Sequence, residues 1–77
     1  MSDSDVPISS PVKAVVNKIN VVKNEQVYAG DILAILLVGN KPHELLSRAT
    51  GSVYSVDVKT GQIVAANQKI IGIKLND

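Results

Sequence analysis

The chain has 77 residues, enough for one small domain, and its composition excludes several kinds of function. It has no cysteine, which excludes disulfides and thiolate metal sites, and a net charge of +1 with only two aromatic residues offers little to a nucleic acid. No segment approaches the ~20 apolar residues that span a bilayer, and the acidic start of the chain is unlike a signal peptide. We therefore expect a cytoplasmic protein without nucleic-acid or membrane partners.

Residues 1–7 predict a flexible N-terminal tail, and residues 8–77 predict a single domain. From Ile8 onward, short β-branched runs are separated by Asn, Gly, Gln and Lys, a pattern typical of strands. The runs cover residues 14–22, 32–38, 52–58 and 70–75. No run shows the spacing of an amphipathic helix, so the sequence predicts an all-β fold.

Residues 10–36 match residues 47–73 at a constant offset of 37 positions. Such an internal repeat indicates two copies of one supersecondary unit that share a core. We infer a closed, flattened β-barrel or sandwich of two four-strand halves related by a pseudo-twofold axis. The matching apolar pairs are Val16 with Val53, Ile19 with Val56, Val21 with Val58, Val27 with Val64, Leu33 with Ile70 and Leu36 with Ile73.

Turn residues follow the same repeat. Asn24 coincides with Gly61, and Gly30 coincides with Asn67. Because Gly and Asn take positive φ most readily, each half is expected to reverse direction at the same two places. The apolar residues of the run that begins at residue 14 also change parity partway, as do their counterparts in the second half, which predicts a bulge in both.

Each half opens with a related short element, Ser10-Pro11-Val12-Lys13-Ala14 in the first and Ser47-Arg48-Ala49-Thr50-Gly51 in the second. The second half continues with a Val-Lys-x-Gly element at residues 58–61. With these motifs repeated at one offset, residues 8–75 resemble the biotinyl/lipoyl carrier domain family, although Ala14 replaces a usual Gly and Arg48 a usual Pro. The resemblance implies a barrel-sandwich hybrid fold. It also implies protein partners among biotin-dependent carboxylases or decarboxylases, or lipoyl-dependent complexes.

The resemblance further implies an attachment lysine at the tip of the hairpin that joins the halves. Alignment forward from Gly30 and backward from Gly51 places that lysine opposite Asn40, and Lys41 follows one position late. Gly39-Asn40 is a favoured pair for a two-residue type I′ or II′ loop, so Lys41 is expected to leave the turn. A shift of one position along a strand reverses the direction of the side chain.

Two functions remain open from the sequence. The first is a non-acylated carrier-like module that needs no cofactor and serves as a structural or regulatory subunit. The alternative is a working carrier protein with biotin, or lipoate, attached to Lys41. The chain itself is not expected to be an enzyme, because its serines lack a plausible base and orienting group. The single histidine, His43, lacks partners for a metal site.

Overall fold

A computed structural model describes residues 5–75 of the chain. These residues form eight β-strands, and among them there is no helix. The all-β prediction is confirmed. The strands are β1 (Asp5–Ser9), β2 (Ala14–Ile19), β3 (Gln26–Val27), β4 (Ile32–Val38), β5 (Lys41–Leu46), β6 (Gly51–Val56), β7 (Ile63–Val64) and β8 (Lys69–Leu75).

The strands form two four-stranded antiparallel sheets, and each sheet takes two strands from each half of the sequence. The first sheet, here called sheet A, has the order β1-β8-β6-β3, and the second, sheet B, has the order β5-β4-β2-β7. Within the described residues neither sheet closes on itself or on the other, so the predicted closed barrel is wrong and the fold is an open sandwich. Closure would need paired edges on both sides, and the edge strands β3 and β7 have only two residues each.

The pairing register repeats the sequence offset. Val16 pairs with Leu36 in sheet B, and the residues 37 positions later, Val53 and Ile73, pair in sheet A. The predicted bulge is present in both halves, between Val16 and Lys18 in β2 and between Val53 and Ser55 in β6. The two sheets are therefore related by a pseudo-twofold operation that exchanges the halves of the chain.

The core lies between the sheets, and the matched pairs supply most of it. Five of the six apolar pairs found in the sequence are buried on both sides of the match. The sixth pair, Ile19 and Val56, is partly buried against the same cluster. Ile8 and Leu45 add a further buried pair from β1 and β5. Burial of Val, Ile and Leu side chains stabilises this small fold, since the chain has no disulfide.

The N-terminal boundary differs from the prediction. Strand β1 begins at Asp5 and pairs with β8, so residues 5–7 belong to the domain instead of to a tail. The reason is that Val6 and Ile8, two positions apart in the strand, both face the core: Ile8 is buried and Val6 packs against it. Residues 1–4, the rest of the predicted tail, lie outside the described residues.

Candidate functional site

The hairpin between β4 and β5 has a loop of two residues, Gly39 and Asn40. Val38 and Lys41 form the pair that closes it. Gly39 has a φ of +64°, and Asn40 is not among the described residues with positive φ. A positive φ at the first central residue alone distinguishes a type II′ turn from a type I′ turn. The two-residue loop was predicted, and the structure identifies it as a type II′ turn.

Lys41 is the first residue of β5 and not part of the turn. Its cross-strand partner is Val38, which packs against the core, and the pair two positions further along is Leu36 with His43. Residues on one face of paired strands alternate, so Lys41 projects from the side of sheet B that carries Val38 and Leu36. The Lys41 side chain is exposed. Asn40 is exposed at the turn.

Two further polar residues of β5, His43 and Glu44, lie on opposite faces of sheet B. His43 is exposed and pairs with the buried Leu36, whereas Glu44 is exposed and pairs with Ile35. No group of three His, Asp or Glu side chains that could hold a metal ion exists among residues 5–75. The hairpin therefore offers an exposed amide at its turn and an exposed amine one residue later.

The four predicted turn residues have a structural role. Asn24, Gly30, Gly61 and Asn67 all have positive φ, between 68° and 96°. Each also donates its backbone N–H to a carbonyl of the other half of the chain, at distances of 2.6 to 2.9 Å. In the order in which the donors are named above, the acceptors are the carbonyls of Val53, Ser47, Val16 and Ser10. These turns join the two halves and hold the frame from which the hairpin projects.

Ser10 and Ser47, which open the two related elements, are the buried polar residues of the described chain. The Ser47 hydroxyl donates to the Ala49 carbonyl at 2.6 Å, and the Ser10 hydroxyl donates to the Val12 carbonyl in the same way. A buried hydroxyl needs such a partner, and this explains why serine recurs at both positions. Among residues 5–75, neither hydroxyl forms a hydrogen bond with a histidine or a carboxylate.

Sequence reasoning missed a cluster on sheet A formed by Tyr54, Asp57 and Lys69. The Lys69 Nζ donates to the Tyr54 hydroxyl oxygen at 2.9 Å and lies 3.5 Å from the Asp57 carboxylate. It also lies 4.7 Å from the centre of the Tyr54 ring. The hydrogen bond to Tyr54, followed by the attraction of Asp57, raises the pKa of Lys69 above its ordinary value of 10.5, and desolvation only partly opposes this. No signal in the sequence brings these three residues together, because the strand register decides their proximity.

A second feature that sequence reasoning missed is a row of apolar side chains across the outer face of sheet B. The row has one residue from each strand, and its members are direct cross-strand neighbours: Ile63, Val15, Leu37 and Pro42. Ile63 is 63% exposed and Val15 is 37% exposed. Lys13, Ala14 and Gly39 join three of them in lining an open groove beside the hairpin turn. The sequence signal that could have revealed this row is the set of repeat positions at which one half has an apolar residue and the other half has a polar residue.

Comparison with known proteins relates the chain to others by fold. No protein-family model and no curated protein sequence matches it significantly. Among solved structures, a single-chain, multidomain long-chain acyl-CoA carboxylase matches the whole chain with a TM-score of 0.89 and 17% identity. The urea carboxylase of Kluyveromyces lactis matches 95% of the chain with a TM-score of 0.86 and 22% identity. An aspartoacylase family protein of Mesorhizobium loti matches 92% of it with a TM-score of 0.68 and 14% identity.

The chain corresponds to only 8%, 6% and 24% of these three proteins, respectively. At these identities the likeness is one of fold. It confirms the two-sheet architecture and relates it to a small part of each carboxylase. Within residues 5–75 there is also no helix long and apolar enough to cross a membrane.

Proposed function

We propose that this chain is a non-acylated carrier-like module, not itself an enzyme, that serves as a structural or regulatory subunit. Its complex is a biotin-dependent carboxylase or decarboxylase, or a lipoyl-dependent enzyme. The observation that carries the proposal is the residue at the hairpin turn, which is Asn40 and not a lysine. Support for the kind of complex comes from the resemblance of the repeated motifs and from the fold that the chain shares with parts of two carboxylases.

The position of Lys41 supports the absence of acylation. Its backbone is part of the β5 ladder opposite Val38, and Pro42 follows it directly. Proline restricts φ and removes a backbone donor, so this part of β5 adjusts little. A modifying ligase that accepts an amine at the turn would meet the amide of Asn40, with the amine displaced along the strand. Asparagine cannot form the acyl–lysine amide bond, and the module therefore carries no cofactor.

A working carrier modified on Lys41 is the second candidate. The observation that favours it is the exposure of the Lys41 side chain one residue beyond the turn. The cofactor in this case is biotin, or lipoate, joined to the Nζ of Lys41 through an amide bond. The two candidates predict different masses for the native protein, because only the second adds an acyl group.

The first experiment is the intact mass of the protein purified from its native host. The proposal predicts the mass of the unmodified chain. A mass increased by one biotinyl or lipoyl group, located on Lys41 by peptide fragmentation, contradicts it and establishes the carrier.

The second experiment returns a lysine to the turn. The variant Asn40→Lys with Lys41→Met keeps the net charge and the core, and therefore changes only the position of the amine. With a biotin ligase or a lipoate ligase, ATP and the cofactor, we expect label on this double variant and little on the parent. The single variant Lys41→Met is the matched control and remains unlabelled. Labelling of the parent at Lys41 contradicts the proposal. If no variant is labelled, residues beyond the turn, Pro42 first, also prevent recognition.

A further inference from the structure

The outer faces of the two sheets differ in a way that the fold does not require. The row on sheet B consists of Ile63, Val15, Leu37 and Pro42. The pseudo-twofold operation places four polar residues at the equivalent positions of sheet A, namely Gln26, Ser52, Lys74 and Asp5. Because the equivalent backbone of sheet A accepts polar residues there, the fold does not require apolar residues at the four positions of the sheet B row.

The difference extends along the sheet. Ile32 and Leu46 pair with each other in sheet B and are 38% and 44% exposed, while their equivalents in sheet A are Lys69 and Ser9. Single exposed apolar residues are common in soluble proteins, but a cross-strand apolar row and a second apolar pair on one of two equivalent faces indicate a contact surface. We call this set, together with Lys13, the sheet B surface.

The charges beside the row indicate the chemistry of the partner. Lys13 lines the groove with Val15 and Leu37, and among residues 5–75 it makes no ion pair. Further along the face, Lys18 pairs with Ile35, and Glu44 flanks the same residue from β5. In the second half of the chain, the equivalents of Lys13 and Lys18 are the uncharged residues Thr50 and Ser55. The groove end of the surface is therefore apolar and positive.

The edges of the sheets are less suited to binding than the face. The longer edge strands β1 and β5 contain Pro7 and Pro42, and proline withholds the N–H that an added strand would need. Two copies of the chain would bring grooves of the same charge together. The positive groove therefore favours a different protein of opposite charge over a second copy.

We propose that the sheet B surface binds a segment of a partner protein whose apolar side chains lie on the Val15–Leu37–Ile63 row, with an Asp or Glu carboxylate against Lys13. The inference deepens the proposed function, on which it rests only for the identity of the partner as a subunit of the complex. It does not depend on whether Lys41 is acylated.

The partner is identified by photo-crosslinking in the native host. A benzophenone amino acid replaces the exposed Ile63 in one variant and its sheet A equivalent, Gln26, in a matched control. We expect a protein adduct at position 63 and none at position 26, with the crosslinked peptide apolar and carrying an Asp or Glu. No adduct at position 63, equal adducts at both positions, an adduct with a second copy, or a peptide without an acidic residue overturns the proposal.

The identified partner is then purified and its affinity measured. The variant Val15→Ser, Leu37→Lys, Ile63→Gln copies the residues that sheet A already has at these positions, so the fold accepts them. We expect its affinity to fall about tenfold or more for each apolar side chain removed. Lys13→Gln is expected to slow association and to reduce its salt dependence. The control Gln26→Ala with Lys74→Ala, on sheet A, keeps the parent affinity.

The results separate this inference from the proposed function. If the partner is not a carboxylase, decarboxylase or lipoyl-enzyme subunit but binding is lost in the triple variant, the surface is confirmed and the proposed function is wrong. If a subunit of such an enzyme binds the triple variant as tightly as the parent, this inference is overturned and the proposed function stands. Circular dichroism melting of each variant confirms that the comparison is between folded proteins.

Discussion

The ring of Tyr54 lies over Gly72 of the neighbouring strand β8, in the space that a side chain at position 72 would occupy. A Cβ atom at Gly72 would meet the ring carbon Cε2 at 2.5 Å. The Lys69 Nζ lies 4.7 Å from the centre of the same ring and donates a hydrogen bond to its hydroxyl oxygen. Glycine inside a strand is normally unfavourable, and here an aromatic ring from the adjacent strand covers it.

Gly72→Ala is therefore expected to destabilise the protein by about 1 kcal/mol, because the ring must move away from Lys69. In a Tyr54→Ala background the space is empty, and the same substitution is expected to be neutral or stabilising, since alanine is preferred over glycine in a strand. A double-mutant cycle measured by urea unfolding tests this coupling. Equal effects of Gly72→Ala in both backgrounds would show that the ring does not lie over Gly72.

The pKa of Lys69 provides a second prediction. The hydrogen bond to Tyr54 is the main cause that raises this pKa, so in Tyr54→Phe the pKa of Lys69 is expected to fall toward its ordinary value of 10.5. NMR titration of the Lys69 Cε atom in the parent and in Tyr54→Phe measures this change. Because the pKa is raised in the folded state, the stabilisation by this contact is present below 10.5 and is lost as the pH rises through the folded pKa. A titration of Lys69 that does not change in Tyr54→Phe contradicts the contact.

Gly51 and Ala14 occupy equivalent positions but differ in the space around them. A Cβ atom at Gly51 would clash with the backbone carbonyl of Lys74, whereas Ala14 has its methyl group buried. Backbone cannot move aside as a side chain can, so we expect Gly51→Ala to cost about 2 kcal/mol. For a domain of this size that lowers the melting temperature by roughly 8 to 16 °C.

Ala14→Gly is the matched control for this prediction. It removes a buried methyl group without a clash, and we expect a loss of about 1 kcal/mol. Calorimetry on the two variants measures the difference. If Gly51→Ala melts no lower than Ala14→Gly, strand β8 does not approach β6 as the structure shows.

The turn at Gly61 provides the fourth prediction. Its φ of +90° is strained for a β-branched residue, so Gly61→Val is expected to cost about 1–2 kcal/mol. The equivalent turn of the first half has Asn24 at a φ of +77°, and Gly61→Asn is therefore expected to change stability much less. Chemical unfolding of both variants measures the difference. Equal stability of the valine and asparagine variants would mean that position 61 does not take a positive φ.

The repeat made the frame of this fold predictable. The six apolar pairs and the residues Asn24, Gly30, Gly61 and Asn67 could be read from the sequence because burial periodicity and positive φ are local properties of residue type. The bulges were predictable for the same reason. The start of β1 was not, because the polar, acidic residues at positions 2–5 resembled a tail.

The hairpin was predictable in part. Gly39 and Asn40 marked a two-residue loop, but the sequence left type I′ and type II′ open, since both residues tolerate positive φ. The face from which Lys41 projects depends on its pairing with Val38. The cluster of Lys69 with Tyr54 and Asp57 depends in the same way on the register between β6 and the start of β8.

By itself, the sequence determined that this protein is an all-β domain with two similar halves, and which apolar pairs form most of its core. Only the tertiary structure decided that each sheet combines strands of both halves, that the sheets stay open, and that the apolar residues Val15, Leu37 and Ile63 meet on one outer face. The physical reason is that core positions repeat along the chain with the period of a strand, whereas neighbours on an outer face come from strands far apart in sequence and meet only through hydrogen-bonded register.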